Sequence, residues 1–150
     1  KWQYSLGAVT ATIHDTIIVL GAYSILDGVL PFSLEVDQAF IAAILTVIGY
    51  SLNDTVVVFD RIREFFNLQS KDETKHKVID NALNSTLSRT FNTSATTIIV
   101  LLIIFVFGGE VLRGFIFAIL LGVVVGTYSS LFIASPVLND TTGRLSKKQI

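Results

Sequence analysis

The sequence predicts an all-α membrane protein with four transmembrane helices and a further amphipathic helix on the cytoplasmic side. Composition is the first reason. Hydrophobic residues make up 51% of the 150 and charged residues 15%, below the roughly 25% charge usual in soluble domains. Segregation of those charges is the second. Residues 4–26, 39–59, 90–109 and 114–139 are nearly free of them, and about 20 residues of helix already rise about 30 Å, the thickness of a bilayer's hydrocarbon core. The third is orientation. If the four spans alternate, every Lys and Arg except Arg113 falls on one side, with Arg89 at the edge of its span. That bias places the Lys1 end, the 61–88 connection and the C-terminus in the cytoplasm.

The first span, about 5–26, carries His14 and Asp15 and stops at Asp27-Gly28, with Pro31 in the outer link. The second, about 39–60, holds Asp54 in otherwise apolar surroundings. A carboxylate at membrane depth costs a few kcal/mol or more, so it marks a functional site by default. This span ends at Asp60, Arg61, Arg63 and Glu64, a charged group suited to anchoring at the interface or to touching a cytoplasmic partner.

The link helix, about 71–86, begins with a capping-box pattern at Ser70 and Glu73. Val78, Ile79, Ala82, Leu83 and Leu87 recur there at helical spacing. Such a helix lies on the membrane surface or docks under its own bundle. The third span, about 89–108, puts Arg89, Thr93 and Thr97 on one face, with Asn92 and Thr96 beside it. Hydroxyls in membrane helices usually bond their own backbone; Arg89 is what singles this face out.

Gly108-Gly109 turns the chain outside the membrane, and Glu110 there is either an exposed loop carboxylate or a proton entrance. The fourth span, about 113–136, repeats Gly114, Ala118, Gly122, Gly126, Ser130 and Ala134 at i+4. Small residues so spaced let helix backbones approach closely in lipid. A repeat of 4.0 on a helix of 3.6 winds the stripe about half a turn, so it meets more than one neighbour.

Much is excluded. There is no cysteine, hence no disulfide or thiolate chemistry. His14 and His76 are too few and too far apart for a zinc site. No dinucleotide fingerprint, Walker loop, zincin helix or nucleophile elbow appears. No enzyme activity, no metal, no nucleic-acid partner and no cofactor is expected, beyond protons as a coupling ion. The net charge of −1 says little, because in a membrane protein placement outweighs the sum.

Residues 49–64, with Ser51-Leu52-Asn53-Asp54-Thr55 and then Asp60-Arg61-Ile62-Arg63-Glu64, resemble the signature region of the SecF family. SecF is the membrane subunit of the bacterial Sec export machinery that works with SecD. Ser88-Arg89-Thr90 with residues 93–97 resembles the family's next membrane helix. Residues 107–115 and 122–130 resemble its last hairpin, and His14-Asp15 a polar pair in an earlier helix. The resemblance covers essentially the whole chain in order. It implies the last four helices, hence the C-terminal part, of a six-helix SecF-type bundle. The family's external domain between its first two helices, and SecD itself, lie outside this sequence.

The resemblance further implies a proton-driven machine of the resistance-nodulation-division superfamily in the bacterial inner membrane. Its expected partners are SecD, the Sec translocon channel, the translocating polypeptide and the lipid bilayer. A carboxyl at membrane depth resists ionisation, which suits Asp54 to exchanging a proton near neutral pH. Arg89 keeps its proton and would pair with Asp54 when that group is ionised and let go when it is neutral, a two-state element. Asn53, Thr93 and Thr97 are expected to support this pair with water or hydrogen bonds. Alternatives stay open. Asp54 and Arg89 either switch or form a permanent interhelical bond, and His14 with Asp15 is either a second relay or a structural polar pair. The module as a whole is a proton-coupled component of export, a passive scaffold of the translocase, or an exporter of small molecules or lipids.

Overall fold

The computed structural model describes residues 2–68 and 74–143. They form helices joined by short links, with no strand among the described residues. Four helical segments are long and apolar enough to cross a membrane. These are α1 (Trp2–Leu26), α2 (Gln38–Leu68), α3 (Lys75–Phe107), and a last segment built from α4 (Glu110–Ser129), a π-helical turn (Ser130–Ala134) and α5 (Ser135–Gly143).

The helix ends follow local chemistry. Gly28, at φ 73°, makes the left-handed turn that closes α1, a conformation open to glycine at little cost. Asp37 caps α2, its Oδ1 accepting the Phe40 N–H at 2.8 Å. Gly108 N–H satisfies the Ile104 carbonyl at 2.7 Å, and α4 begins at Glu110, so the outer hairpin of α3 and α4 is very short.

Two helices run longer than the spans drawn from composition. α2 has 31 residues, about 46 Å, and carries the Asp60 to Glu64 charges on its extension. Of the residues assigned to a link helix at about 71–86, those from Lys75 onward lie with residues 89–107 of the third span in one unbroken α3. Nothing between Lys75 and Phe107 is Gly or Pro, so no residue there ends a helix. Val78, Ile79 and Ala82 are buried in the bundle, whereas Leu87 is exposed. The capping pattern at 70–73 lies outside the described residues, as do Lys1, Lys71, Arg144, Lys147 and Lys148 of the charge argument.

α4 is the hub, packing against α1, α2 and α3. Its small residues are the contact surface. A Cβ on Gly122 would collide with the Val47 side chain of α2; one on Gly126 would press on Ser51 of α2 at 3.2 Å; one on Gly114 would meet the Ser33 carbonyl at 2.8 Å. Ala118 and Ala134 are fully buried. α1 contributes a matching row, Gly7, Ala11, Asp15, Val19 and Tyr23, buried at every fourth residue.

The interior is layered. Near the Asp27 end, Val19, Tyr23, Phe40, Ala43, Ala118 and Val123 form one apolar cluster. At the Arg61 end, Ala11, Val58, Ile62, Ile79, Ala82 and Leu138 form the other. On α1, α2 and α4 the residues between these clusters are polar, among them Asp15, Ser51, Thr55, Ser129 and Ser130, all buried. The bundle's outside is apolar, with Ile17, Leu45, Ile103 and Phe132 among the exposed side chains.

Gly122→Leu is expected to destabilise the bundle by about 1–3 kcal/mol, the usual cost of overpacking. Gly49→Ala, at a site with open space around it, should leave stability unchanged or slightly raised. Denaturation midpoints of both variants in mild detergent check this.

Candidate functional site

The polar layer is built around two carboxylates on neighbouring helices. Asp15 of α1 is 1% exposed. A carboxylate so far from water needs hydrogen-bond donors, and three groups supply them. Ser51 Oγ of α2 and Ser129 Oγ of α4 both donate to Asp15 Oδ2, at 2.5 and 2.8 Å. Asp15 Oδ1 faces His14 Nδ1 at 3.1 Å. Asp54 of α2 is partly buried, and its Oδ2 accepts from Ser130 Oγ at 2.6 Å. Consecutive residues of one helix thus serve carboxylates on two others.

In a regular α-helix, adjacent side chains point about 100° apart, so Ser129 and Ser130 meet different neighbours. From Ser130 the helix widens into a π turn, a form frequent at functional sites. Ser135 Oγ donates to the Ser130 carbonyl at 3.2 Å, and Pro136, the next residue, cannot donate an N–H to the ladder.

A second hydroxyl chain crosses the same layer. Tyr50 OH donates to Ser94 Oγ at 3.4 Å, Ser94 meets Thr127 Oγ1 at 2.6 Å, and Thr127 donates to the Val123 carbonyl at 2.7 Å. It ties α2, α3 and α4 together without charge. Thr55 Oγ1 and Thr90 Oγ1 are buried without a hydrogen-bond partner. Thr90 of α3 is directed at Asp54 but does not close a hydrogen bond to it.

The residues picked from sequence separate into two groups. Asp54, Asp15, His14 and Ser130 come together as described. Arg89 does not pair with Asp54: the ion pairs among the described residues are His14–Asp15 and Arg61–Glu64. Arg89 is exposed, and acts on Asp54 only by charge at longer range. α3 turns Thr86, Thr90 and Ser94 inward, which leaves Arg89 and Thr93 about 100° round the helix from that row. Thr93 donates to the Arg89 carbonyl and Thr97 to the Thr93 carbonyl, each at 2.9 Å. Their hydroxyls are spent on their own backbone. Asn53 is exposed.

The charged group at the end of α2 is outside the site. Asp60, Arg63 and Glu64 are exposed. Arg61 donates to Glu64 at 2.5 Å and to Ser85 of α3 at 2.9 Å, with its guanidinium 4.8 Å from the Phe65 ring centre. Among the described residues no cluster of three or more His, Asp or Glu could hold a metal.

Read from sequence, Ser51, Ser129, Thr55 and Thr90 have no site role of their own, and Ser130 has only a packing one. The available signal was the i+4 row: Ser51 and Thr55 share one face of α2, and Asp54 sits beside them. Arithmetic on helical faces locates these residues, but not which carboxylate each will meet.

The comparisons with known proteins agree with this architecture. The family described as protein export membrane protein SecD/SecF, C-terminal, matches residues 1–144. The protein translocase subunit SecF of Rhodothermus marinus is 56% identical over 149 residues, spanning 99% of this chain and 48% of that protein. The subunit of the same name from Cereibacter sphaeroides is 46% identical over 138 residues, spanning 92% of this chain and 40% of that protein. A crystal structure of SecDF in a super-membrane-facing form is similar with a TM-score of 0.86 at 40% identity, covering 95% of this chain and 18% of the other. The chain therefore spans less than half the length of these two SecF relatives.

Asp15→Leu is expected to destabilise the bundle by about 1–3 kcal/mol, because Ser51 Oγ loses its acceptor in a dry interior. Ser129 falls back on the Gly126 carbonyl, already 3.2 Å away. Adding Ser51→Ala to Asp15→Leu should recover part of the loss. A double-mutant cycle on detergent unfolding checks the coupling.

Proposed function

The chain belongs to the protein export membrane protein SecD/SecF C-terminal family, and on that basis we propose that it is a proton-coupled component of the Sec protein-export machinery. In this reading it sits in the bacterial inner membrane with its C-terminus in the cytoplasm. Its four helices form the C-terminal part of a six-helix bundle. Its partners are SecD, the translocon channel and the polypeptide being exported. Its work is transport, and no covalent chemistry is assigned to it.

The observation that carries the reading is the setting of Asp54. Its carboxyl lies part-buried in the middle of a membrane helix, holds one hydroxyl donor, and has the unpartnered Thr90 hydroxyl directed at it. A group with one fixed donor and one idle neighbour can gain or lose a proton without leaving a buried charge stranded. Arg89 supports the cycle from the outer face of α3, drawing close when Asp54 is ionised and moving off when it is neutral. One charge crossing 100 mV is worth about 2.3 kcal/mol, enough to shift a two-state equilibrium by roughly fifty-fold.

The unformed Asp54–Arg89 pair also favours a second reading, a scaffold whose helices hold the translocase together and carry no proton. The two part on one experiment, protein export by vesicles carrying the full-length complex, with and without a proton gradient. Asp54→Asn keeps the shape and a hydrogen bond but cannot titrate. The proton-coupled reading expects the gradient-dependent part of export to fall at least about tenfold while the complex still assembles. Export that responds to the gradient as before leaves the scaffold.

A further inference from the structure

Asp15 is the most enclosed carboxylate among the described residues, and the proton cycle assigned to Asp54 makes no use of it. Its two oxygens are treated differently. Oδ2 is saturated by the hydroxyls of Ser51 and Ser129. Oδ1 has His14 Nδ1 as its one hydrogen-bond partner, at 3.1 Å. A structural carboxylate would be served as well by hydroxyls on both oxygens. This one keeps an oxygen for an imidazole, the side chain best suited to passing protons near neutral pH.

His14 is placed to do so. Its side chain is 29% exposed where that of Asp15 is 2% exposed, so its ring spans from the interior to the surface of α1. The other titratable group packed on it is Tyr128 of α4, its ring centre 6.4 Å away. Along α2 the titratable side chains nearest Ser51 are Tyr50 beside it and Asp54 one turn beyond, and from α3 the nearest to the site is Arg89, which acts on Asp54 by charge.

Ser129 and Ser130 connect the two carboxylates. Each hydroxyl has a single proton to donate and two acceptors within reach. Ser129 Oγ is 2.8 Å from Asp15 Oδ2 and 3.2 Å from the Gly126 carbonyl. Ser130 Oγ is 2.6 Å from Asp54 Oδ2 and 3.0 Å from the Thr127 carbonyl. Both have a resting place on the backbone whenever their carboxylate no longer needs them. Because the two residues are adjacent where α4 runs into the π turn, displacing one displaces the other.

We propose that Asp15 is a second proton-binding site of the bundle, loaded through His14 and coupled to Asp54 by the consecutive hydroxyls of Ser129 and Ser130. Loading moves the proton on Nδ1 of a doubly protonated His14 to Asp15 Oδ1. It leaves a neutral imidazole protonated at Nε2 and a neutral carboxylic acid whose O–H points back at Nδ1. Unloading is the reverse. The inference rests on the proton-coupled reading of this bundle, and adds to it Asp15, His14 and Ser129, which that reading leaves idle.

The test is infrared difference spectroscopy of the full-length complex in lipid nanodiscs, following the protonated-carboxyl stretch as pH is stepped. Two titrating carboxyl bands are expected, one lost in Asp15→Asn and the other in Asp54→Asn. Ser129→Ala, which keeps both carboxyls, should move the Asp15 band in frequency and pH midpoint, and the Asp54 midpoint with it. His14→Gln should slow exchange into the Asp15 band without removing it. Co-purification of the partner subunit shows that each variant is assembled. If Asp15→Asn leaves the spectrum unchanged while Asp54→Asn removes a band, the inference is overturned and the proposed function stands. If Asp15→Asn removes a band and Asp54→Asn does not, the second site is supported and the carrier role of Asp54 falls. A Ser129→Ala complex whose Asp54 midpoint stays put overturns the coupling.

Discussion

The arrangement of this bundle turns on keeping one carboxylate, Asp15, out of water. An ionised group in a dry interior is tolerated only where donors surround it, and α1 offers just His14 from its own neighbourhood. The remaining donors have to come from other helices, so α2 must present Ser51 and α4 must present Ser129 at the same height. That requirement fixes the relative register of three helices, which apolar packing in lipid would leave far less determined. Hydrocarbon chains compete with Leu and Val for contact on nearly equal terms. Hydroxyls aimed at a buried charge have no such competitor.

Glycine then sets how near the helices come. Ser51 lies against Gly126, and Val47, one turn earlier on α2, lies against Gly122. The backbone approach that admits Val47 also delivers the Ser51 hydroxyl to Asp15. The small-residue stripe and the polar layer are therefore one device rather than two. The π turn completes it. At its start Ser129 and Ser130 supply Asp15 and Asp54 with one donor each. Pro136 lies where the ladder must already give up a hydrogen bond, so the irregularity is placed where it costs least.

Much of this was legible before any coordinates. Charge segregation marked four apolar segments, and the structure has four helices of matching hydrophobicity. Asp54 was conspicuous because it stands alone in an apolar run. Asp15 is also visible in the sequence, but a His-Asp pair within one helix reads equally as a second relay or as a structural polar pair. Ser51, Ser129, Thr55 and Thr90 carry no such signal. A serine in a membrane helix ordinarily bonds the carbonyl one turn back, as Thr10, Thr12 and Thr16 do here, and nothing in spacing reveals which will reach across instead. The same rule explains Thr93 and Thr97, which stay on their own backbone. The run from Lys75 to Phe107 divides in hydrophobicity but not in helix-breaking residues, and the backbone follows the latter.

The two carboxylates meet their surroundings on different helices, and this bears on how such a layer could work. Asp15 reaches outward through His14 on α1, beside Tyr128 of α4. Asp54 is approached from α3, by the Thr90 hydroxyl and the more distant charge of Arg89. Among the described residues no side chain of α1 hydrogen-bonds Asp54 and none of α3 hydrogen-bonds Asp15. Two links join the groups: α2, which carries Asp54 and sends Ser51 to Asp15, and the last helical segment, where the consecutive Ser129 and Ser130 serve one carboxylate each. A rigid α-helix would carry a signal between the groups poorly, since its hydrogen-bond ladder resists local shifts. The π turn at Ser130, with Ser135 Oγ on the Ser130 carbonyl and Pro136 unable to donate an N–H, departs from that regular ladder. It can shift one turn of backbone without breaking the helices above and below, and the apolar clusters on either side give it fixed ends to move between.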